Sequence, residues 1–178
     1  MKKKDVKERF KKIKLIALDV DGVLTDGGII IGSDGTEYKR FDVKDGTGIS
    51  LGRHGGLKFA VISGRHCETI GLRAKELKIG EVYQGCMEKK RAYEELKKKY
   101  GLKDSQVCFI GDEIIDLPVM LSCGLAAAPK DAAAEVKKAA HFISSAEGGK
   151  GCVREIIEKV LKSSGLWEKA VARYLGKK

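Results

Sequence analysis

Two acidic clusters follow apolar runs in this chain. Leu15-Ile16-Ala17-Leu18 leads into Asp19-Val20-Asp21-Gly22, and Val107-Cys108-Phe109-Ile110 leads into Gly111-Asp112-Glu113-Ile114-Ile115-Asp116. An aspartate ending an apolar strand costs β-propensity and desolvation, so it needs a compensating partner such as a cation. If the two runs are neighbouring central strands, Asp19 and Asp112 converge. Carboxylates that close call for a hard divalent ion, and oxygen-only ligation suits Mg2+. Asp116 lies one helical turn past Asp112 and could orient a nearby lysine. A third apolar run, Phe59 to Ile62, ends in Ser63-Gly64-Arg65, where a hydroxyl, a flexible backbone and a guanidinium together suit a phosphate. Lys89 opens a helical stretch after Gln84-Gly85-Cys86-Met87-Glu88 and could neutralise phosphate oxygens. Taken singly, each has a plain structural reading: Asp21-Gly22 as a turn, Asp19 as a cap of backbone amides, Ser63 as a helix N-cap, Lys89 as one lysine among many. Three acids at two strand ends are harder to explain as turns.

The elements that must position these groups alternate short β-branched apolar runs with longer helical ones, the mark of parallel βαβ units. The pattern predicts strands over 13–18, 58–62, 82–83, 107–110, 125–127 and 141–143. It predicts helices near 47–54, 66–78, 88–100, 114–122, 131–139, 151–163 and 167–175. The expected fold class is therefore α/β, a Rossmann-like parallel sheet with helices on both faces. In such sheets ligands bind at the C-terminal strand edge, where the acidic groups stand. One segment breaks the alternation: Gly28 to Ile31, the turn Gly32-Ser33-Asp34-Gly35 and Thr36 to Phe41 read as a β-hairpin within residues 26–41, directly after the first strand.

The 178 residues suit one domain, 1–178, and 43% hydrophobic residues supply a core without disulfides or a structural metal. Five cysteines, odd in number and never spaced CxxC, argue against a disulfide framework or zinc site and suit a reducing cytoplasm. No apolar run is long enough for a membrane span or secretion signal. The net charge of +10 is confined to the ends. Residues 1–14 carry eight basic side chains against Asp5 and Glu8, and 162–178 carry five against Glu168, while the stretch between is balanced. A basic N-terminal segment, 1–12, and a basic C-terminal tail, 162–178, thus read as solvated helix ends rather than as a nucleic-acid surface. No membrane partner is expected.

The four sites, DVDGV, ISGR, Lys89 and GDEIID, occur in an order that resembles the haloacid dehalogenase superfamily of phosphotransferases, over residues 13 to about 130. The resemblance implies Asp19 as nucleophile, Asp21 as general acid and base, Ser63 and Lys89 as phosphate ligands, and Asp19, Asp21 and Asp112 around Mg2+. Aspartate attack on a phosphate ester brings anion to anion, so a cation and a lysine are what the chemistry needs. Val23 stands where many relatives have threonine.

A narrower likeness runs through DVDGVLTDG, Phe41-Asp42-Val43-Lys44-Asp45-Gly46-Thr47-Gly48, YQG ahead of Lys89, GDEIIDLPVM, and Gly148-Gly149-Lys150-Gly151 before Val153-Arg154-Glu155. These are similar to the capless 3-deoxy-D-manno-octulosonate 8-phosphate phosphatases of lipopolysaccharide biosynthesis. In that family Asp42, Val43, Lys44, Asp45, Gly46, Gly64, Arg65 and Arg73 would hold the sugar phosphate, with Asp42 to Gly46 also readable as a turn and helix start. Glu113 replaces a common second aspartate, and its role, like that of Asp116, is supporting. The gaps between motifs leave no room for a cap domain, so a neighbouring subunit is the economical source of water exclusion. The hairpin is expected to build a homo-oligomer, a tetramer, and the glycines at 148–151 to let the basic tail close over a site. Competing readings are a phosphatase for nine-carbon sialic-acid-type phosphates and a regulatory module of the same fold.

Overall fold

The structure, a computed structural model, describes residues 3–176, with the side chains of Lys3 and Lys4 left aside. Among the described residues eight α-helices and eight strands run in the order α1 (Lys3–Lys12), β1 (Leu15–Leu18), β2 (Ile30–Ile31), β3 (Glu37–Tyr38), α2 (Val43–Gly55), β4 (Lys58–Ile62), α3 (Glu68–Glu76), β5 (Glu81–Tyr83), α4 (Lys89–Tyr100), β6 (Val107–Ile110), α5 (Leu117–Met120), β7 (Leu125–Ala128), α6 (Ala134–Ala139), β8 (Phe142–Ile143), α7 (Cys152–Ser163) and α8 (Trp167–Ala172), with short 3-10 turns beside some of them. Six strands form one parallel sheet in the order β5-β4-β1-β6-β7-β8. The chain leaves β1 towards β4 on one side and returns to β6 on the other. The C-terminal ends of β1, β4 and β6 are therefore neighbours, at the switch of strand order where open α/β sheets bind ligands.

Both faces of the sheet are covered, which is why its central strands are apolar throughout. Alternate residues point to opposite sides. Ile16, Leu18, Phe59, Val61, Cys108 and Ile110 pack beneath α1, α2, α3, α7 and α8, whereas Leu15, Ala17, Ala60, Ile62, Val107 and Phe109 pack against α4, α5 and α6. The apolar stripe of α7, Val153, Ile156, Ile157, Val160 and Leu161, is buried entirely on the first side. Asp42 caps α2 by accepting from the Lys44 amide, and Gly56, at φ 97°, ends it in the left-handed conformation glycine tolerates.

Several boundaries differ from the sequence reading. The N-terminal segment forms α1 and buries Phe10, and Ile13 is a buried link before the first strand, not part of it. The 114–122 stretch splits into a tight 3-10 turn over 114–116 and the single-turn α5, where Pro118 sits in the first helical turn and removes an amide donor. The hairpin pairs only Ile30 with Tyr38 and Ile31 with Glu37, and Asp34 braces its turn by accepting from the Thr36 amide. The C-terminal tail packs on the core. Ala170 is buried, and Leu166, Trp167 and Val171 pack half-buried against the core beside α2. Lys177 and Lys178 lie outside the described residues.

Candidate active site

Asp19 follows β1 with its main chain still held by the sheet, its amide donating to the Ile110 carbonyl on β6. Its Oδ1 accepts from the Val20 amide at 2.7 Å and its Oδ2 lies 2.6 Å from Lys89 Nζ. Lys89 is the first residue of α4, and only 1% of its side chain is exposed. Its ammonium also lies 2.7 Å from Asp116 Oδ1. The other Asp116 oxygen accepts from the amides of Asp112 and Glu113, so Asp116 is fully used in fixing the lysine and the turn that carries Asp112. Asp19, Asp112 and Asp116 each bring a carboxylate oxygen within 4.8 Å of one another.

Three carboxylates share one lysine, and the imbalance shows in their proton affinities. Burial, then the Asp116 charge, pushes Asp19 up to about 6 against the pull of Lys89. Burial, then Asp19 and Asp116, pushes Asp112 up to about 8. Burial alone would lower Lys89, but Asp19 and Asp116 outweigh it and hold the ammonium above its ordinary value. Asp112 Oδ1 is buried with no hydrogen-bond partner. Gly22, at φ 81°, makes room for that carboxylate: a Cβ there would come within 2.0 Å of Asp112 Oδ2. An acceptor left unpaired in an oxygen-only, anion-rich cradle is the donor set a hard divalent cation requires, so Asp19 and Asp112 fit Mg2+.

Ser63, buried at the end of β4, accepts from the Arg65 amide through its hydroxyl. This is a local turn and not the helix cap its sequence suggested, because α3 starts only after Cys67, which makes no side-chain cap. A cleft of about 330 Å³ opens over these groups, lined by Asp19, Asp21, Gly22, Gly27, Ser63, Gly64, Arg65, Met87, Lys89, Asp112, Glu113 and Ile115.

A family model of haloacid dehalogenase-like hydrolases matches residues 64–156. The 3-deoxy-D-manno-octulosonate 8-phosphate phosphatase of Yersinia pestis is 40% identical over 157 residues, 88% of this chain and 84% of that protein. The enzyme of the same name from Escherichia coli K12 is 37% identical over 166 residues, 93% of this chain and 88% of its own. The chain belongs to the haloacid dehalogenase-like hydrolases, in the 3-deoxy-D-manno-octulosonate 8-phosphate phosphatase family. Among solved structures, the phosphatase of that name from Moraxella catarrhalis, in complex with magnesium, phosphate and KDO, superposes with a TM-score of 0.94 at 35% identity, covering 97% of this chain and 99% of its own.

In this hydrolase the carboxylate of Asp21 stands apart from the clustered acids. The sequence reading grouped Asp21 with Asp19 and Asp112 around the metal; it lines the same cleft, with its carboxylate Oδ1 2.5 Å from Lys39 Nζ and its Oδ2 3.6 Å from Arg65 Nε. Glu113 lines the cleft and uses its carboxylate on the Ile114 amide.

Asp42, Val43, Lys44, Asp45, Gly46 and Arg73 do not line the cleft of their own chain. Asp45 is completely buried and receives the amides of Gly151 and Arg154 at 3.1 and 2.8 Å, tying the start of α7 to α2. Arg73 pairs with Glu76, lies over the Phe41 ring and closes on Gly46, where a Cβ would meet its guanidinium at 2.7 Å. The glycines at 148–151 are also not a free hinge. A Cβ on Gly148 would reach 1.9 Å from the Gly22 carbonyl oxygen, and the Gly149 amide donates to Val23, so these residues are small because they pack against the loop carrying Asp21 and Gly22.

Sequence reading passed over Lys39 and Glu37. The available signal was their spacing: two residues apart at the end of a hairpin strand, they share a face, and that hairpin directly follows the first acidic pair.

Proposed function

We propose that the chain hydrolyses 3-deoxy-D-manno-octulosonate 8-phosphate to KDO and inorganic phosphate, with Mg2+ as cofactor. The observation that carries the reading is Asp19 held between Lys89 and the unpaired carboxylate of Asp112 at the sheet's switch point. The near-complete likeness to a phosphatase solved with KDO, phosphate and magnesium supports the substrate.

In this reading Asp19 attacks phosphorus, the ester P–O bond breaks, and Asp21 gives its proton to the departing sugar oxygen. Asp21 then takes a proton from water as the water attacks the aspartyl phosphate, and the bond from phosphorus to Asp19 breaks to release phosphate. Lys89 offsets the charge that anion attack on anion builds up, Asp116 holds Lys89 in place, and the Ser63 hydroxyl and the Gly64-Arg65 segment receive the phosphoryl oxygens. Mg2+, held by Asp19 and Asp112, supplies charge neutralisation and orientation of the phosphoryl group. Asp42, Val43, Lys44 and Arg73 are assigned to the sugar acid, reached from an adjoining copy since they do not line their own cleft, while the buried Asp45 and Gly46 hold the start of α2 against α7 and Arg73.

The chain acts as one phosphatase domain, in the cytoplasm, consistent with five free cysteines and with no described helix long and apolar enough to cross a membrane. The assembly is a homotetramer built on the hairpin, where Ile29, Ile30, Ile31 and Tyr38 are all more than half exposed, a cost that burial between copies would remove. Phosphate release from a panel of keto-sugar acid phosphates, with Mg2+ or with chelator, tests the function. A kcat/KM for the eight-carbon substrate at least about a hundredfold above the nine-carbon one is expected. Faster turnover of the nine-carbon phosphate, or turnover indifferent to chelator, overturns it.

A further inference from the structure

Lys39, at the foot of the hairpin, is a buried charge with no evident role in packing. Only 1% of its side chain is exposed. Its ammonium lies 2.5 Å from Asp21 Oδ1 and 2.8 Å from Glu37 Oε1. The other Glu37 oxygen accepts from Arg65 at 2.8 Å, and Arg65 Nε turns back to Asp21 Oδ2 at 3.6 Å, closing a ring of two acids and two bases across the cleft mouth. The carbonyl of Glu37 accepts from the Thr69 hydroxyl on α3, which fixes the strand that carries the ring. Burial alone would lower the proton affinity of Lys39, but Asp21 and Glu37 outweigh it, so the side chain stays an ammonium.

A solvent-facing hairpin needs no desolvated lysine to stay in place, and a buried ion pair is weak evidence for a stabilising role. The distinctive feature here is what the lysine grips. Of the two Asp21 oxygens, Oδ2 has no hydrogen-bond partner, so Lys39 is the group that sets the rotation of the carboxylate. Released from it, the carboxylate keeps only the long Arg65 contact at 3.6 Å, which is no hydrogen bond, and its rotation is no longer fixed.

We infer that Lys39 is a positioning residue for Asp21, with Glu37 holding Lys39 in register, so that the hairpin aims the general acid and base of the reaction. The inference rests on the role proposed above for Asp21. It concerns proton transfer and not substrate affinity, because the Lys39 side chain is sealed from the cleft. Glu37 also holds Arg65, so the hairpin sets both the group that moves the proton and a guanidinium placed to meet substrate.

The test uses the full-length enzyme with its own substrate, in steady state and by rapid quench. Lys39→Met, which keeps length and bulk, is expected to lower kcat on the order of 10- to 100-fold, a part of the 10²–10⁴-fold a general acid–base contributes, with KM moved less than about threefold. Sugar release and phosphate release are both expected to slow in rapid quench, because each step needs Asp21 aimed at the atom it protonates or deprotonates. Lys39→Gln, which retains one hydrogen bond to Asp21, should fall between Lys39→Met and wild type. In an Asp21→Asn background either substitution should add nothing further. Wild-type kcat in both Lys39 variants, or losses that track the folded fraction by circular dichroism, would overturn the inference. So would effects that multiply independently with Asp21→Asn. An Asp21→Asn enzyme that turns over at the wild-type rate would instead sink the role of Asp21 itself, a distinguishable failure.

Discussion

Replacing Lys89 with methionine removes the only ammonium among three carboxylates while leaving a side chain of similar length in the same space. Lys89 lies 2.6 Å from Asp19 and 2.7 Å from Asp116. At an effective dielectric of about 20, each contact is worth roughly 6 kcal/mol of attraction before desolvation is counted. Desolvating the ions cancels much of this, and breaking one partner out of a buried pair typically costs about 3–5 kcal/mol. That is the loss of stability expected for Lys89→Met in chelator at pH 8. The loss should shrink at pH 5. Asp19 sits at about 6 even with the lysine present, so as pH falls through that value the carboxylate gains a proton and there is less charge for Lys89 to stabilise. For turnover, loss of a buried electrostatic donor predicts a fall in kcat of about 10²–10³-fold, or 2.7–4 kcal/mol in the barrier. The half-buried neighbour Lys90, paired with Glu94 one helical turn away and lying over the Tyr93 ring, serves as control, and Lys90→Ala should change stability by under about 1 kcal/mol. Urea denaturation at the two pH values and phosphate release at saturating substrate give the measurements. An equal stability loss at pH 5 and pH 8, or a kcat within tenfold of wild type, would refute the electrostatic account of this lysine.

Asp19→Asn should abolish phosphate release while leaving the melting temperature at or above that of wild type, since the amide removes one of the crowded charges, and measurable turnover would exclude Asp19 as nucleophile. Asp112, pushed up to about 8, disfavours the metal-free fold increasingly as pH rises from about 4 towards 8, so Mg2+ should raise the melting temperature more at pH 8 than at pH 5, and Asp112→Asn should erase most of that difference. Asp45→Ala leaves the amides of Gly151 and Arg154 unpaired in a buried site and should cost about 2–4 kcal/mol by urea denaturation, whereas a role confined to substrate would change KM with stability unmoved. Truncation after Lys162 uncovers the core beneath Ala170, Leu166 and Trp167 and should lower stability by at least about 2 kcal/mol, contrary to a tail that acts only as a lid.

Much of the architecture was legible in the chain because parallel strands covered on both faces are short apolar runs, and those runs are bounded by charge or glycine. β4 and β6 were read to the residue, and the acids at the ends of β1 and β6 announced themselves because a carboxylate there needs a reason. The local pattern could read 1–12 only as a solvated helix end, because α1 carries many lysines and its core contacts, Phe10 against Phe142 on β8 and the half-buried Val6, exist only in the fold. Nor could it separate Asp45 from Asp42. Both stand at the start of α2, but one caps the helix and the other is buried against the amides of α7, more than a hundred positions away in sequence. The glycines at 148 and 149 looked like a hinge for the same reason, since nothing local shows that the loop carrying Asp21 and Gly22 presses against them. Spacing along the chain records what each residue can do. Which anion faces which cation, as Asp21 faces Lys39 and Asp19 faces Lys89, is decided by strand order and by the hairpin folding back over the sheet edge, and charge pairing across such distances in sequence exists only in the folded protein.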